Sequence, residues 1–260
     1  MRTWPNAVVA LLFATGCVEP PEYESEVAEV TPQIDGAELV ALETNAQPAY
    51  ADYMARDDAS IILMFHQAGS NAVEYEPIAE WMAQTGYSCL AVNLRSGAEQ
   101  FGANNPTATQ YEEEQAYPLA LEDMRAALDW ADTRGYENIF VWGSSYSASL
   151  VFKLAGDYPG LVDAVLAFSP GEYFDDDDIV REWADQVTQP VLVAAAEGEG
   201  DARLIYESAV DANFKVYVEH EGGVHGSSAA REDRNPDSSD QYRSDVLQFL
   251  DRVESYGPPG

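Results

Sequence analysis

The chain of 260 residues carries 46 Asp and Glu against 13 Lys and Arg, a formal net charge of −33 at pH 7. An excess this large excludes nucleic acid as a partner, because phosphate backbones bind proteins by exchanging counterions for cationic side chains, and it disfavours anionic membrane surfaces likewise. A hydrophobic fraction of 46% with 11% aromatics suffices to bury a core, and the length is that of one globular domain.

Residues 1–16 read as an export signal, with Arg2 as its basic region, an apolar stretch from Ala7 to Phe13, and the small residues Ala14, Thr15 and Gly16 before Cys17. The apolar run is far shorter than the ~20 residues that cross a bilayer. This arrangement resembles the signal of a bacterial lipoprotein, although Ala14 stands where that signal usually has Leu. The resemblance implies acylation at Cys17 and an exported protein held to the membrane by its lipid; plain secretion is the alternative. Residues 17–36 read as a disordered tether, rich in acids and interrupted by Pro20, Pro21 and Pro32. The folded domain is expected over 37–260. Processing at Cys17 leaves Cys89 alone, so no disulfide framework is expected and Cys89 reads as a buried strand thiol. The charge excess suits a saline habitat, where cations screen self-repulsion.

From Gly36 onward, short apolar runs alternate with amphipathic stretches, the pattern of a mostly parallel sheet with helices on both faces. Ser60 to Phe65 is a continuous apolar run, as a doubly covered central strand should be. Helical spacing follows at Ile78, Trp81 and Met82, then a strand at Cys89 to Asn93, then helical spacing again at Leu121, Met124 and Leu128. Further strands are expected at Asn138 to Trp142, Ala164 to Phe168, Pro190 to Ala195 and Phe214 to Val218. Val246, Phe249, Leu250 and Val253 mark the last helix at i, i+3, i+4, i+7.

The strand at Asn138 runs into Gly143-Ser144-Ser145-Tyr146-Ser147 and then a helical stretch, Ala148 to Leu154. Strand, sharp turn and helix make the form of a nucleophile elbow, in which the residues two before and two after the central Ser must be small. Ser145 meets that requirement through Gly143 and Ser147, whereas Ser144 as centre would put Trp142 at a crowded position. Ser147 replaces the final Gly of G-x-S-x-G. A general base and an acid should follow at later strand ends. His225, in the small-residue loop Gly222 to Ser227, is the candidate base, with His220 as competitor. Glu197, Glu199 and Asp201 all follow the Pro190 strand; Glu199 falls on the expected place, Asp201 is the first alternative, and the unused acids read as caps for a helix beginning near Ala202. The oxyanion hole is expected from the backbone amide of Tyr146 and that of Gln67 or Ala68, in the early loop His66-Gln67-Ala68-Gly69-Ser70. His66 reads as a support for this loop.

These residues resemble the α/β-hydrolase superfamily, and within it the dienelactone-hydrolase-like and small serine esterase branch. The resemblance rests on Phe65 to Ser70, Leu94-Arg95-Ser96-Gly97, Gly143 to Ser147 and Val224-His225-Gly226-Ser227, and spans nearly the whole chain beyond Gly36. It implies an α/β-hydrolase fold and hydrolysis of a carboxylic ester or similar acyl bond, with no cofactor and no metal, on a small-molecule substrate. Dienelactone hydrolases use a Cys nucleophile, so their specific lactonase activity does not carry over to Ser145.

Substrate choice is expected in the loops at 95–111 and 169–178. Arg95 could bind an acidic group or sit in a surface ion pair, Glu172 and Tyr173 could line the pocket or pack the loop, and His66 is a further substrate-binding candidate. The run Asp175 to Asp178 reads as a solvated helix start. No insertion is long enough for a large lid domain. The competing functions are a non-catalytic, tethered binding protein on the same scaffold, and an acyltransferase with the same triad; a haloalkane dehalogenase is excluded because its elbow carries Asp.

Overall fold

The computed structural model describes residues 30–56 and 59–256. The predicted export signal, Cys17 and most of the predicted tether lie outside the described residues. The end of the predicted tether belongs to the domain instead: Ile34 is buried, and the Gln33 and Ile34 amides donate to Asp52 Oδ2 at 2.8 and 2.9 Å. One apolar side chain and an anchoring carboxylate suffice to hold this segment down.

Among the described residues eight strands form one sheet, in chain order β1 (Glu38–Leu42), β2 (Ala49–Met54), β3 (Ser60–Phe65), β4 (Ser88–Val92), β5 (Asn138–Ser144), β6 (Ala164–Phe168), β7 (Val191–Ala195) and β8 (Lys215–Glu219). Their spatial order is β1-β2-β4-β3-β5-β6-β7-β8. The β1–β2 and β2–β4 pairs are antiparallel and every other pair is parallel. Six helices cover the faces: α1 (Glu76–Gln84), α2 (Ala120–Arg134), α3 (Tyr146–Asp157), α4 (Ile179–Asp185), α5 (Gly200–Ser208) and α6 (Ser239–Tyr256).

Strand alternation divides the core in two. Ile61, Leu63, Phe65, Ile139 and Val141 pack with residues of α2, α3, α4 and α5, while Ile62, Met64, Phe140 and Trp142 pack with α1 and α6. Burial on both faces is what the continuous apolar run of β3 anticipates. The predicted strands all form, within a residue or two of their expected ends. The antiparallel pair β1 and β2 was not anticipated, because buried Asp52 interrupts the apolar signal of β2 and stands on the face that receives residues 33–34.

Because β3 to β8 run parallel, their carboxyl ends share one rim, where the loops that follow converge. Between β4 and α2 the chain carries only two short 3-10 turns, at Ala108–Gln110 and Tyr117–Leu119. Asn105 ties that stretch down, its amide donating to the Ser70 and Leu94 carbonyls at 3.1 and 3.0 Å. Among the described residues no segment forms a separate lid domain, and no helix is long and apolar enough to cross a membrane.

Candidate active site

The turn between β5 and α3 sets Ser145 at φ 60° and ψ −123°, a conformation that costs a non-glycine residue of order 1–3 kcal/mol and holds its hydroxyl at the tip. Tertiary contacts impose it. The Ser145 amide donates to the Phe168 carbonyl at 2.8 Å. A Cβ on Gly143 would meet the Ala148 backbone at 2.5 Å, so only glycine admits the close approach of β5 and α3. Two residues beyond the tip, Ser147 serves where glycine was expected: its hydroxyl accepts from the Ser144 amide at 2.8 Å and donates to the Phe65 carbonyl at 2.7 Å, fastening the turn to β3.

His225 reaches this tip from the loop after β8. Its Nε2 lies 2.9 Å from Ser145 Oγ, and its Nδ1 lies 2.5 Å from Glu199 Oε1. Glu199 follows β7 and occupies the N-cap of α5, with its second oxygen accepting from the Ala196 amide at 2.9 Å. Three strand ends thus place a hydroxyl, an imidazole and a carboxylate in one hydrogen-bonded line.

The electrostatics of the pair agree with its geometry. The hydrogen bond to Glu199 raises the His225 pKa above the ordinary histidine value, against a smaller opposing effect of burial. For Glu199, burial works against the charged form, but the bonds from His225 and Ser169 and the Ala196 amide outweigh it and hold the carboxyl below its usual range.

The other candidates take different places. Glu197 and Asp201 are exposed, with Asp201 in the first turn of α5. His220 pairs with Asp245 at 2.7 Å, and its ring stands edge-on to Tyr242. Of the amides proposed for the oxyanion hole, Gln67 is a correction: its N–H donates to Glu74 Oε2 at 2.9 Å, which leaves Tyr146 and Ala68. His66 is completely buried and is not a substrate contact; its Nδ1–H donates to the Gln67 carbonyl at 2.7 Å and its Nε2 accepts from the Leu94 amide at 2.9 Å. Burial lowers its pKa to about 4, against the pull of those two bonds, and keeps the ring neutral as a brace between the loops after β3 and β4.

Arg95 is withdrawn from the rim. It is 4% exposed, its guanidinium lies 2.6 Å from Asp123 and 2.9 Å from Glu122, and it is an ion pair of the interior rather than a surface one. Glu172 is likewise a correction, because its carboxylate accepts from the Val180 and Arg181 amides at 2.9 and 3.1 Å and so caps α4. Tyr173 stands in the loop after β6, its hydroxyl donating to the Ser169 carbonyl at 3.1 Å.

Several residues at the site carry no legible signal in the sequence. Glu74, in a 3-10 turn at Ala72–Tyr75, is fully buried and binds both Gln67 and Ser144. Ser144 in turn accepts from the Ser227 amide at 2.9 Å, and Ser227 Oγ meets the Trp142 indole N–H at 3.0 Å and the Tyr75 hydroxyl at 2.9 Å. Ser169, at φ 55°, accepts from the Gly226 amide at 2.8 Å. Together these bonds join the His225 loop to the elbow and to the loop after β3. The serine pair was a usable hint, since Ser144 is spent on structure where Ser145 is left to the rim.

Fold and site together define the α/β-hydrolase class. The sequence profile of the Dienelactone hydrolase family matches residues 49–253, and the chain belongs to that family of hydrolases. A dienelactone hydrolase from Anabaena variabilis superposes with a TM-score of 0.63 at 16% identity, over 86% of this chain and 98% of that one. The esterase Pf2001 of Pyrococcus furiosus gives 0.65 at 15% identity, over 83% and 92%. Est1E from Butyrivibrio proteoclasticus, solved with ferulic acid bound, gives 0.63 at 12% identity, over 83% and 99%. At these identities the likeness is one of fold. A search of curated proteins found no match.

Proposed function

We propose that the protein is a serine hydrolase that cleaves carboxylic esters through Ser145, His225 and Glu199. The observation that carries this reading is the unbroken line from Ser145 Oγ to His225 at 2.9 Å and on to Glu199 at 2.5 Å. Ser145 Oγ attacks the acyl carbon while His225 Nε2 takes its proton; the new Oγ–C bond forms a tetrahedral oxyanion held by the Tyr146 and Ala68 amides. Collapse breaks the bond to the leaving oxygen, which receives the proton from His225. Water then repeats the sequence on the acyl-enzyme and releases the acid. Glu199 keeps the imidazole in the tautomer with its free nitrogen toward Ser145 and stabilises the imidazolium.

A fluorophosphonate should label Ser145 and not Ser144, and p-nitrophenyl acetate should be cleaved, with Ser145→Ala and His225→Ala each losing activity by roughly 10⁴-fold or more. Unlabelled, well-folded protein would refute the reading. Export through residues 1–16 and acylation at Cys17 are proposals from the sequence; an unmodified mature N-terminus in mass analysis would remove the lipid anchor.

A further inference from the structure

A cleft of about 450 Å³ opens between the loops after β4 and β6, lined by Tyr117, Pro118, Tyr173 and Phe174, with Glu114 and Asp175 at its edge. Two contacts join it to the loops of the site. The Tyr173 hydroxyl donates to the carbonyl of Ser169, whose hydroxyl holds the Gly226 amide beside His225, and Tyr117 stacks on Tyr146, the residue after Ser145, with ring centroids 4.5 Å apart and planes 27° from parallel. Tyr117 and Phe174 are half-buried and Tyr173 is 38% exposed, so aromatic faces are presented to an entering group.

The charge around this cleft has one sign. Glu114 and Asp175 line it, and their chain neighbours Glu112, Glu113, Asp176, Asp177 and Asp178 are all exposed. No Lys or Arg lines it. Arg181, the cation of the neighbouring helix α4, is engaged by Asp178 and Glu172, and Arg95 is sealed between Asp123 and Glu122. A carboxylate entering here meets repulsion with no partner to offset it, whereas a neutral ring gains apolar contact and a cation gains both ring faces and anionic edges.

We propose that this cleft is the specificity subsite of the enzyme, that it takes the aromatic part of an uncharged or cationic ester, and that it rejects esters bearing a carboxylate. The inference rests on the ester-hydrolase reading above and adds the substrate class.

The test is kcat/KM of the full chain for phenyl acetate, its para-carboxylate analogue and its para-trimethylammonium analogue, each divided by its alkaline hydrolysis rate. At low ionic strength the neutral and cationic esters should exceed the anionic one by on the order of tenfold or more, and added NaCl should narrow the gap. Glu114→Gln combined with Asp175→Asn should narrow it too. Phe174→Ala should raise KM for phenyl acetate several-fold more than for vinyl acetate, which has no ring to seat. Equal corrected rates for the three aryl esters, or equal effects of Phe174→Ala on both acetates, would overturn the subsite while labelled, active Ser145 left the hydrolase reading standing. Failure to cleave any ester together with failure of Ser145 to label would overturn both.

Discussion

Ser144 Oγ donates a 2.5 Å hydrogen bond to Glu74 Oε1 in a fully buried setting, 70 residues away in the chain. The same carboxylate takes the Gln67 amide, so one side chain fixes the serine next to Ser145, the proposed nucleophile, and the loop that carries Ala68. Glu74→Ala would orphan both donors, at about 1–3 kcal/mol each. Glu74→Gln keeps the volume and should lower kcat by up to about 10²-fold through displacement of the oxyanion loop, with a smaller change in KM. Burial raises the Glu74 pKa despite the bonds that favour its charge. The folded state therefore holds this proton to higher pH than the unfolded chain, and stability declines as pH rises from the ordinary glutamate range through the raised value. Urea unfolding should show the wild type losing stability relative to Glu74→Gln on going up through that window; parallel curves would show that Glu74 has no shifted titration.

In the proposed mechanism His225 accepts the proton only when neutral, and Glu199 favours its protonated form. The acid limb of kcat/KM should therefore lie above the ordinary histidine value. Glu199→Gln should move that limb downward and reduce kcat by up to about 10⁴-fold, the scale seen when a triad acid becomes an amide. Asp201→Asn should alter neither. A pH–rate profile that shifts with Asp201 instead would transfer the acid's role.

Arg95 and Asp123 form an interior pair with side-chain exposures of 4% and 0%. Arg95→Met leaves the Asp123 carboxylate buried without its counter-charge and should cost about 3–5 kcal/mol. Adding Asp123→Leu should recover part of this, giving a clear coupling energy in a double-mutant cycle by urea denaturation. Additive effects would mean that the two side chains do not act as a pair.

At a net charge of −33, self-repulsion opposes the compact state. The thermal midpoint should rise by several degrees between about 10 mM and about 1 M NaCl, most steeply at the low end where the screening length shortens fastest. A midpoint that is flat with NaCl would show that the excess charge is already neutralised by its arrangement on the surface.

How much of the site was legible depended on whether its residues announce themselves locally. Gly143, Ser145 and Ser147 do, because the backbone geometry of a tight strand-to-helix turn demands small neighbours within five consecutive residues. His225 does through its glycine-rich loop. Glu199 could be ranked above Asp201 by counting from the strand end, yet three acids in five residues share one local signature. Glu74 and Arg95 could not be read correctly, because a glutamate opening a helix and an arginine after a strand look like surface residues until the partners that bury them are known.

The chain itself determined the alternation of strands and helices, the elbow and the order of the candidate serine, carboxylates and histidine, since each follows from spacing along the backbone. Tertiary structure decided which carboxylate meets the imidazole, which loop amide is already committed to Glu74, and that Arg95 faces inward. Those outcomes depend on distances between segments up to 28 residues apart, and such distances are set by sheet order and packing, which no local spacing contains.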